Sequence, residues 1–116
     1  MRSFILSVSG DRWLTPLRNA VLAHAGYAVI PAYTAEKAIE VLQHRHVSAM
    51  VIGHSIALKD RQRLCSEGIK LGIPSVILDN AAQGRDRGGE LHIDPLEGPE
   101  TVLEAIAAVL AKRGIA

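Results

Sequence analysis

The sequence predicts an α/β domain in which helices cover both faces of a parallel sheet of five strands. Short runs of consecutive apolar residues, typical of strands buried on both faces, alternate with segments that carry apolar residues at helical spacing. Strands separated by helices pair in parallel through right-handed crossovers, which gives a doubly wound architecture. Aromatic residues make up only 3% of the chain, so aliphatic side chains must build the core.

The size and charge of the chain restrict the class of protein. With 116 residues, we expect one domain that spans residues 1–116. Thirteen basic against twelve acidic residues leave a net charge of +1, so we predict no nucleic-acid partner. No apolar run is long enough to span a membrane, and no signal-peptide pattern opens the chain, so we predict no membrane partner. A single cysteine cannot form an internal disulfide, which favours a cytoplasmic location.

Strand and helix signals begin at the start of the chain. The apolar run Phe4–Val8 predicts the first strand. The first helix is predicted to begin after Asp11, or after Thr15 with Pro16 at its first position, and to end at Gly26. The residues predicted to face inward from this helix are Leu14, Leu17, Val21, Leu22 and Ala25.

The next elements follow in the same alternating order. Residues 27–32 predict the second strand, and Thr34 is the predicted N-cap of the second helix. The apolar stripe of that helix is Ala35, Ala38, Ile39 and Leu42. Residues 47–52 predict the third strand, and a third helix is expected at about residues 59–70, ending at Gly72.

The second half of the chain completes the sheet. Ser75–Leu78 predicts the fourth strand, and residues 91–93 predict a short fifth strand. Between them, residues 79–90 are polar and rich in glycine, which predicts a loop. The last helix is predicted to open at Gly98 and Pro99. For a doubly wound sheet of this length, the flavodoxin-like strand order 2-1-3-4-5 is the natural choice.

Six short segments, taken in order, carry a family resemblance. They are Ile5-Leu6-Ser7-Val8, Gly26-Tyr27, Thr34-Ala35-Glu36-Lys37-Ala38, Ser48-Ala49-Met50-Val51-Ile52, Ile73-Pro74-Ser75-Val76-Ile77-Leu78 and Asp94-Pro95. Together they resemble the CheY-like receiver domain of two-component response regulators over nearly the whole chain. In that family a complete helix joins the fourth and fifth strands. The resemblance therefore implies that this fourth helix is shortened or missing here, because residues 79–90 have no apolar periodicity.

The residues that handle the phosphoryl group in receivers are not found at the matching positions. Two acidic residues after the first strand hold Mg2+ in the family, and Ser9 and Gly10 match them. The phosphoacceptor aspartate after the third strand is matched by Gly53. Asp79 replaces the hydroxyl residue after the fourth strand, and Asp94 replaces the lysine after the fifth.

These differences affect the chemistry of the family more than its fold. Mg2+ usually binds carboxylates, and glycine cannot act as a nucleophile. Carboxylates in place of the lysine and the hydroxyl would repel a phosphoryl group. We therefore predict a degenerate receiver, or pseudo-receiver, in a bacterial two-component or phosphorelay pathway. It is expected to act by protein–protein contact, with no enzymatic activity, catalytic residue, metal or cofactor.

Several residues near the strand ends are candidates for contact or binding. Trp13, the only tryptophan, either fills the space left by the missing carboxylates or is exposed as a contact residue. The contact surface is then the first helix, or the last helix with residues 79–90, and a homodimer is compatible with either. The resemblance also implies a cis peptide bond before Pro95.

An alternative function is a small-ligand sensor or minor enzyme that uses His54, Asp79 and Asp94 at the strand ends. The simpler interpretation is that His54 is half-buried and that the two acids are solvated. Ser55 lacks the sequence context of a hydrolase nucleophile, and Cys65 lacks a second cysteine, so packing is its expected role.

Overall fold

Strands and helices alternate along the chain in the computed structural model, which describes residues 3–11, 13–78, 86–87, 90–94 and 98–112. The elements are β1 Phe4–Val8, α1 Leu14–His24, β2 Ala28–Ala32, α2 Ala35–His44, β3 Ala49–Ile52, α3 Leu58–Leu71, β4 Ser75–Leu78, β5 Asp86–Arg87, β6 Glu90–Ile93 and α4 Pro99–Lys112. None of the helices in the described part of the chain is both long and apolar enough to cross a bilayer.

The strands form one sheet in the order β2-β1-β3-β4-β6-β5. The first five of these strands pair in parallel, which confirms the predicted order 2-1-3-4-5, with β6 as the predicted fifth strand. β5 was not predicted: it pairs antiparallel to β6 at the edge of the sheet. A strand of two residues is too short to leave an apolar pattern in the sequence.

The stretch between β4 and β6 is where the family resemblance implies a shortened or missing helix. The structure has four helices among its described residues. In the stretch from β4 to β6, the described residues Asp86 and Arg87 form a strand. The prediction that the fourth helix is shortened or missing is therefore confirmed.

The sheet separates two layers of buried apolar side chains. Leu6 and Val8 of β1 pack with α2 and α3, whereas Ile5 packs on the opposite face with α1 and α4. Met50 and Ile52 of β3 pack on the same face as Leu6 and Val8, and the residue between them faces the opposite layer. Side chains of a strand alternate between the two faces, so a strand covered by helices on both sides is expected to be apolar at nearly every position.

Two of the predicted helix ends are confirmed. The Thr34 side chain accepts a hydrogen bond from the backbone N–H of Lys37 at 3.2 Å, as expected of an N-cap. At the end of α3, Gly72 adopts the left-handed conformation, with φ of 72°, and its N–H donates to the carbonyl of Ile69 at 3.1 Å. Glycine carries no Cβ penalty in that conformation, so the chain can leave the helix there and enter β4.

The start of α1 differs from the prediction. Trp13 occupies the N-cap position and makes no side-chain capping bond, so neither Asp11 nor Thr15 is the N-cap. Instead, the Asp11 carboxylate accepts the backbone N–H of Trp13 at 2.8 Å, and Thr15 is the second residue of the helix. Pro16 is accommodated because the N–H groups of a first helical turn have no intrahelical acceptor.

The inward face of α1 also differs from the prediction. Thr15, Arg18 and Leu22 are buried, whereas Leu17 is 57% exposed and Ala25 is exposed. Apolar residues occur on every side of this helix, so their spacing alone does not determine which side faces the sheet.

Candidate functional site at the carboxyl edge of the sheet

The carboxyl ends of β1 and β3 bring two of the predicted site positions together. Val8 pairs with Ile52, so Ser9 and Gly53 leave the two strands side by side. The N–H of Gly53 donates to the carbonyl of Val8 at 2.8 Å, and the N–H of Ser9 donates to the carbonyl of Ala32 at 3.0 Å. Ser9 is thereby held between the ends of β2 and β3.

Ser9 occupies the space that a side chain at position 53 would need. Its side chain is buried, with only 2% of the residue exposed. A Cβ atom on Gly53 would stand 2.7 Å from Ser9 Oγ and 3.0 Å from Ser9 Cβ. The first distance is shorter than packed carbon and oxygen atoms tolerate, so position 53 accepts only glycine while Ser9 keeps its place.

A network of hydroxyl groups fixes the loop that follows β1. Ser9 Oγ accepts the backbone N–H of Asp11 at 3.2 Å, and Ser55 Oγ accepts that of Gly10 at 3.0 Å. The two Oγ atoms lie 3.4 Å apart. The cluster formed by Ser9, Gly10, Gly53 and Ser55, which we call the serine cluster, therefore satisfies backbone donors with neutral oxygens and brings no charge to the strand ends. Sequence reasoning missed the part of Ser55 in it.

The other predicted residues are distributed around this edge. Ile93 pairs with Leu78, so Asp94 leaves β6 at the same edge of the sheet; it is partly buried and interacts with a neighbouring group. His54 is exposed, so the interpretation of a half-buried histidine is wrong. Asp79 and Pro95, and with Pro95 the expected cis peptide bond, lie outside the described residues.

Trp13 does not fill the space between the strand ends. It is 89% exposed, so of its two predicted roles the first is wrong, and Ser9 fills that space instead. Leu17, four residues later and 57% exposed, lies on the same side of α1. The two residues give the first helix an exposed apolar surface.

Arg18 is the polar residue that sequence reasoning missed most clearly. It is only 8% exposed, and burial lowers the pKa of its guanidinium, an effect that the nearby charge of Asp11 partly opposes. Its Nε and Nη2 atoms are buried and lack a hydrogen-bond partner among the described residues, as does Oγ1 of Thr15. A sequence signal exists: Arg18 precedes Leu22 by four residues and so lies on the same side of the helix.

A second polar contact on the same layer is fully satisfied. Ser7, with no exposed surface, donates from Oγ to Oδ1 of Asn19 on α1 at 2.7 Å. In the parts of the chain that the structure describes, no group of three His, Cys, Asp or Glu residues could hold a metal ion. Cys65 is buried in the layer between the sheet and α2 and α3.

Comparison with known proteins places this geometry in a recognised fold. No model of a known protein family matches the sequence, and no curated protein matches it. A CheY-like response-regulator receiver domain protein from Methanospirillum hungatei JF-1 superposes with a TM-score of 0.82 at 18% identity, covering 98% of both chains. The signal receiver domain of an HD domain-containing protein from Pseudomonas fluorescens Pf-5 gives 0.83 at 15% identity, covering all of both chains.

A third solved structure extends the likeness to chemotaxis proteins. The chemotaxis response regulator CheY4 of Vibrio cholerae superposes with a TM-score of 0.74 at 17% identity, over 95% of this chain and 100% of its own. At such identities the likeness concerns the fold. The chain has the fold of CheY-like response-regulator receiver domains.

Proposed function

We propose that the chain is a pseudo-receiver, a signalling module that acts by contact with a protein partner and does not accept a phosphoryl group after its third strand. The observation that carries this proposal is the packing of Ser9 against Gly53, which leaves no room for a side chain at position 53. A phosphoacceptor at this position would need both a carboxylate there and a displacement of the Ser9 side chain.

The charge of the edge supports the same proposal. Phosphoryl transfer requires a metal ion or cationic side chains to neutralise the charge that develops on the transferred oxygens. The serine cluster offers only neutral oxygens and backbone groups. Asp94 adds a carboxylate at the end of β6, which disfavours a phosphoryl group further.

The exposed side of α1 is the contact surface that the described residues favour. Trp13, Leu17 and Ala20 are exposed and recur at helical spacing along one side of the helix. On α4, by contrast, the exposed side chains that the structure describes are acidic or small, among them Glu100, Glu104 and Ala107. A large aromatic residue beside an aliphatic one is typical of the anchors of protein interfaces.

The occupant we propose for this surface is a partner protein with an apolar patch of its own. Sedimentation of the purified chain over a range of concentrations distinguishes this from a homodimer. A monomer at all concentrations supports a different protein as the partner, whereas a dimer that the substitution Leu17→Lys dissociates would assign the surface to a second copy. No described contact of His54 favours the alternative of a ligand sensor or minor enzyme.

Acetyl phosphate tests the absence of phosphoacceptance directly. The chain is incubated with acetyl phosphate and Mg2+, and its intact mass is compared with that of a phosphorylatable receiver treated in parallel. We expect no added phosphoryl group on this chain while the control receiver is modified. Stoichiometric incorporation into the chain would overturn the proposal.

A further inference from the structure

The buried side of α1 carries polar atoms that have no hydrogen-bond partner in the described part of the chain. Nε and Nη2 of Arg18 and Oγ1 of Thr15 are buried and have no hydrogen-bond partner among the described residues. Only 8% of Arg18 and 1% of Thr15 is exposed. Buried polar atoms are nearly always hydrogen-bonded, so three of them on one helix need an explanation.

The geometry of a helix directs these side chains toward the start of α1. Thr15 and Arg18 are three residues apart and share a side of α1, and helical side chains lean toward the N-terminus. The interaction of the Arg18 guanidinium with the charge of Asp11, just before the helix, agrees with this direction. The unpartnered donors of Arg18 are thus aimed at the first turn, where backbone N–H groups lack intrahelical acceptors and the helix dipole favours negative charge.

The charge of Asp11 offsets only part of the effect of burial on Arg18. The Asp11 carboxylate accepts a hydrogen bond from the N–H of Trp13, and its charge raises the pKa of the Arg18 guanidinium less than burial lowers it. An arginine guanidinium keeps its proton even so. The first turn of α1 therefore combines a buried cation, a buried hydroxyl and the positive end of a helix of 11 residues.

We propose that this turn of α1 binds a small tetrahedral oxyanion, such as phosphate or sulfate, through Arg18 and Thr15. The planar fork of a guanidinium matches two oxygens of such an anion, and the hydroxyl of Thr15 can donate to a third. Binding is non-covalent and does not involve Ser9 or Gly53. Its test is therefore independent of the test of phosphoacceptance.

Titration of the 15N-labelled chain with inorganic phosphate, at constant ionic strength set by sodium chloride, tests the proposal. We expect saturable shifts of the Arg18 Nε–H signal and of the backbone amides of Leu14 and Thr15. Sulfate should act similarly, whereas acetate, with two oxygens in a plane, should act much more weakly. Equal shifts with acetate would overturn the assignment of a tetrahedral anion. If the Arg18 Nε–H signal does not shift, any phosphate that binds the chain is an adventitious ion only, and the proposal is overturned.

Variants separate this site from general effects of salt. Loss of the charge-assisted hydrogen bonds in Arg18→Met should weaken phosphate binding roughly 10- to 100-fold. Thr15→Val should weaken it by a smaller factor. The matched control is Arg63→Met, since Arg63 lies exposed on α3 and pairs with Glu36 at 3.2 Å. Equal phosphate affinity in Arg18→Met and the wild type would overturn the proposal. If Arg18→Met does not fold, the Arg18 Nε–H signal in the wild type still decides it.

Discussion

Ser9 and Gly53 are packed so closely that the Oγ atom of Ser9 lies 2.7 Å from the place of a Cβ atom on Gly53. Rotation of the Ser9 side chain would not relieve this approach, because Ser9 Cβ itself lies 3.0 Å from the same place. Rotation would also give up the hydrogen bond from the N–H of Asp11 to Ser9 Oγ. The two positions are therefore coupled: while Ser9 keeps this place, a side chain at position 53 requires one of the two residues to shift.

The first prediction concerns this linkage. Gly53→Ala should lower the free energy of unfolding by about 1–3 kcal/mol, the usual cost of overpacking a close-packed site. The cost should shrink in a Ser9→Gly background, because the clashing atoms are then absent, giving a coupling energy of about 0.5–3 kcal/mol. Urea denaturation of the two single variants, the double variant and the wild type measures that coupling.

Gly10→Ala is the matched control for this cycle. A Cβ atom on Gly10 would come no closer than 3.7 Å to Ser55 Oγ, which is an ordinary van der Waals contact. Its effect should therefore be small and independent of the residue at position 9. A cost of Gly53→Ala that stays the same in the Ser9→Gly background would contradict the close packing of Ser9 on Gly53.

A second prediction concerns the hydrogen bond between Ser7 and Asn19. Asn19→Ala leaves the fully buried hydroxyl of Ser7 without its acceptor, which should cost about 1–3 kcal/mol. In a Ser7→Ala background the same substitution should be neutral or stabilising, because alanine is the better helix former by roughly half a kcal/mol. Thermal unfolding of the four proteins checks this change of sign. Equal costs in both backgrounds would mean that the hydrogen bond contributes nothing.

The strands and their order were predictable because the sheet is buried on both faces. β1 was predicted at Phe4–Val8 and β4 at Ser75–Leu78, as the structure has them, since a strand covered on both sides is apolar at nearly every position. The caps at Thr34 and Gly72 were predictable for a local reason: each acts on its own chain neighbours.

The packing at the site was less predictable because it depends on contacts between distant parts of the chain. The family resemblance identified Gly53 as a position without a carboxylate, but only the register of β1 with β3 shows that Ser9 fills the space beside it. The role of Ser55 in the serine cluster also depends on a distant contact. Its Oγ accepts a hydrogen bond from the backbone N–H of Gly10, which lies 45 residues earlier.

The third prediction uses Trp13 as the only tryptophan of the chain. Because 89% of it is exposed, its fluorescence in the dilute native protein should resemble that of the unfolded chain. Association through α1 should move the emission to shorter wavelength, and Leu17→Lys should prevent that change without altering stability by more than about 0.5 kcal/mol. A native spectrum already typical of a buried indole at low concentration would contradict the exposed position of Trp13.

The fourth prediction concerns the cost of burying Arg18. Because burial lowers the pKa of its guanidinium, the folded protein holds this proton less tightly than the unfolded chain does. The resulting loss of stability is present at every pH below the lowered pKa, and it disappears only as the pH rises through that value toward the pKa of the unfolded state. At neutral pH the full cost therefore applies.

Arg18→Met should relieve this cost. The free energy of unfolding at neutral pH, in a buffer whose only anion is chloride, should rise by about 1–4 kcal/mol when a buried charge is replaced by an apolar chain of similar length. Arg63→Met, at an exposed position, should change it by less than about 0.5 kcal/mol. A clear loss of stability in Arg18→Met would mean that hydrogen bonds within the chain compensate the guanidinium. With phosphate present, the advantage of the variant should shrink, since a bound anion stabilises only the protein that retains Arg18.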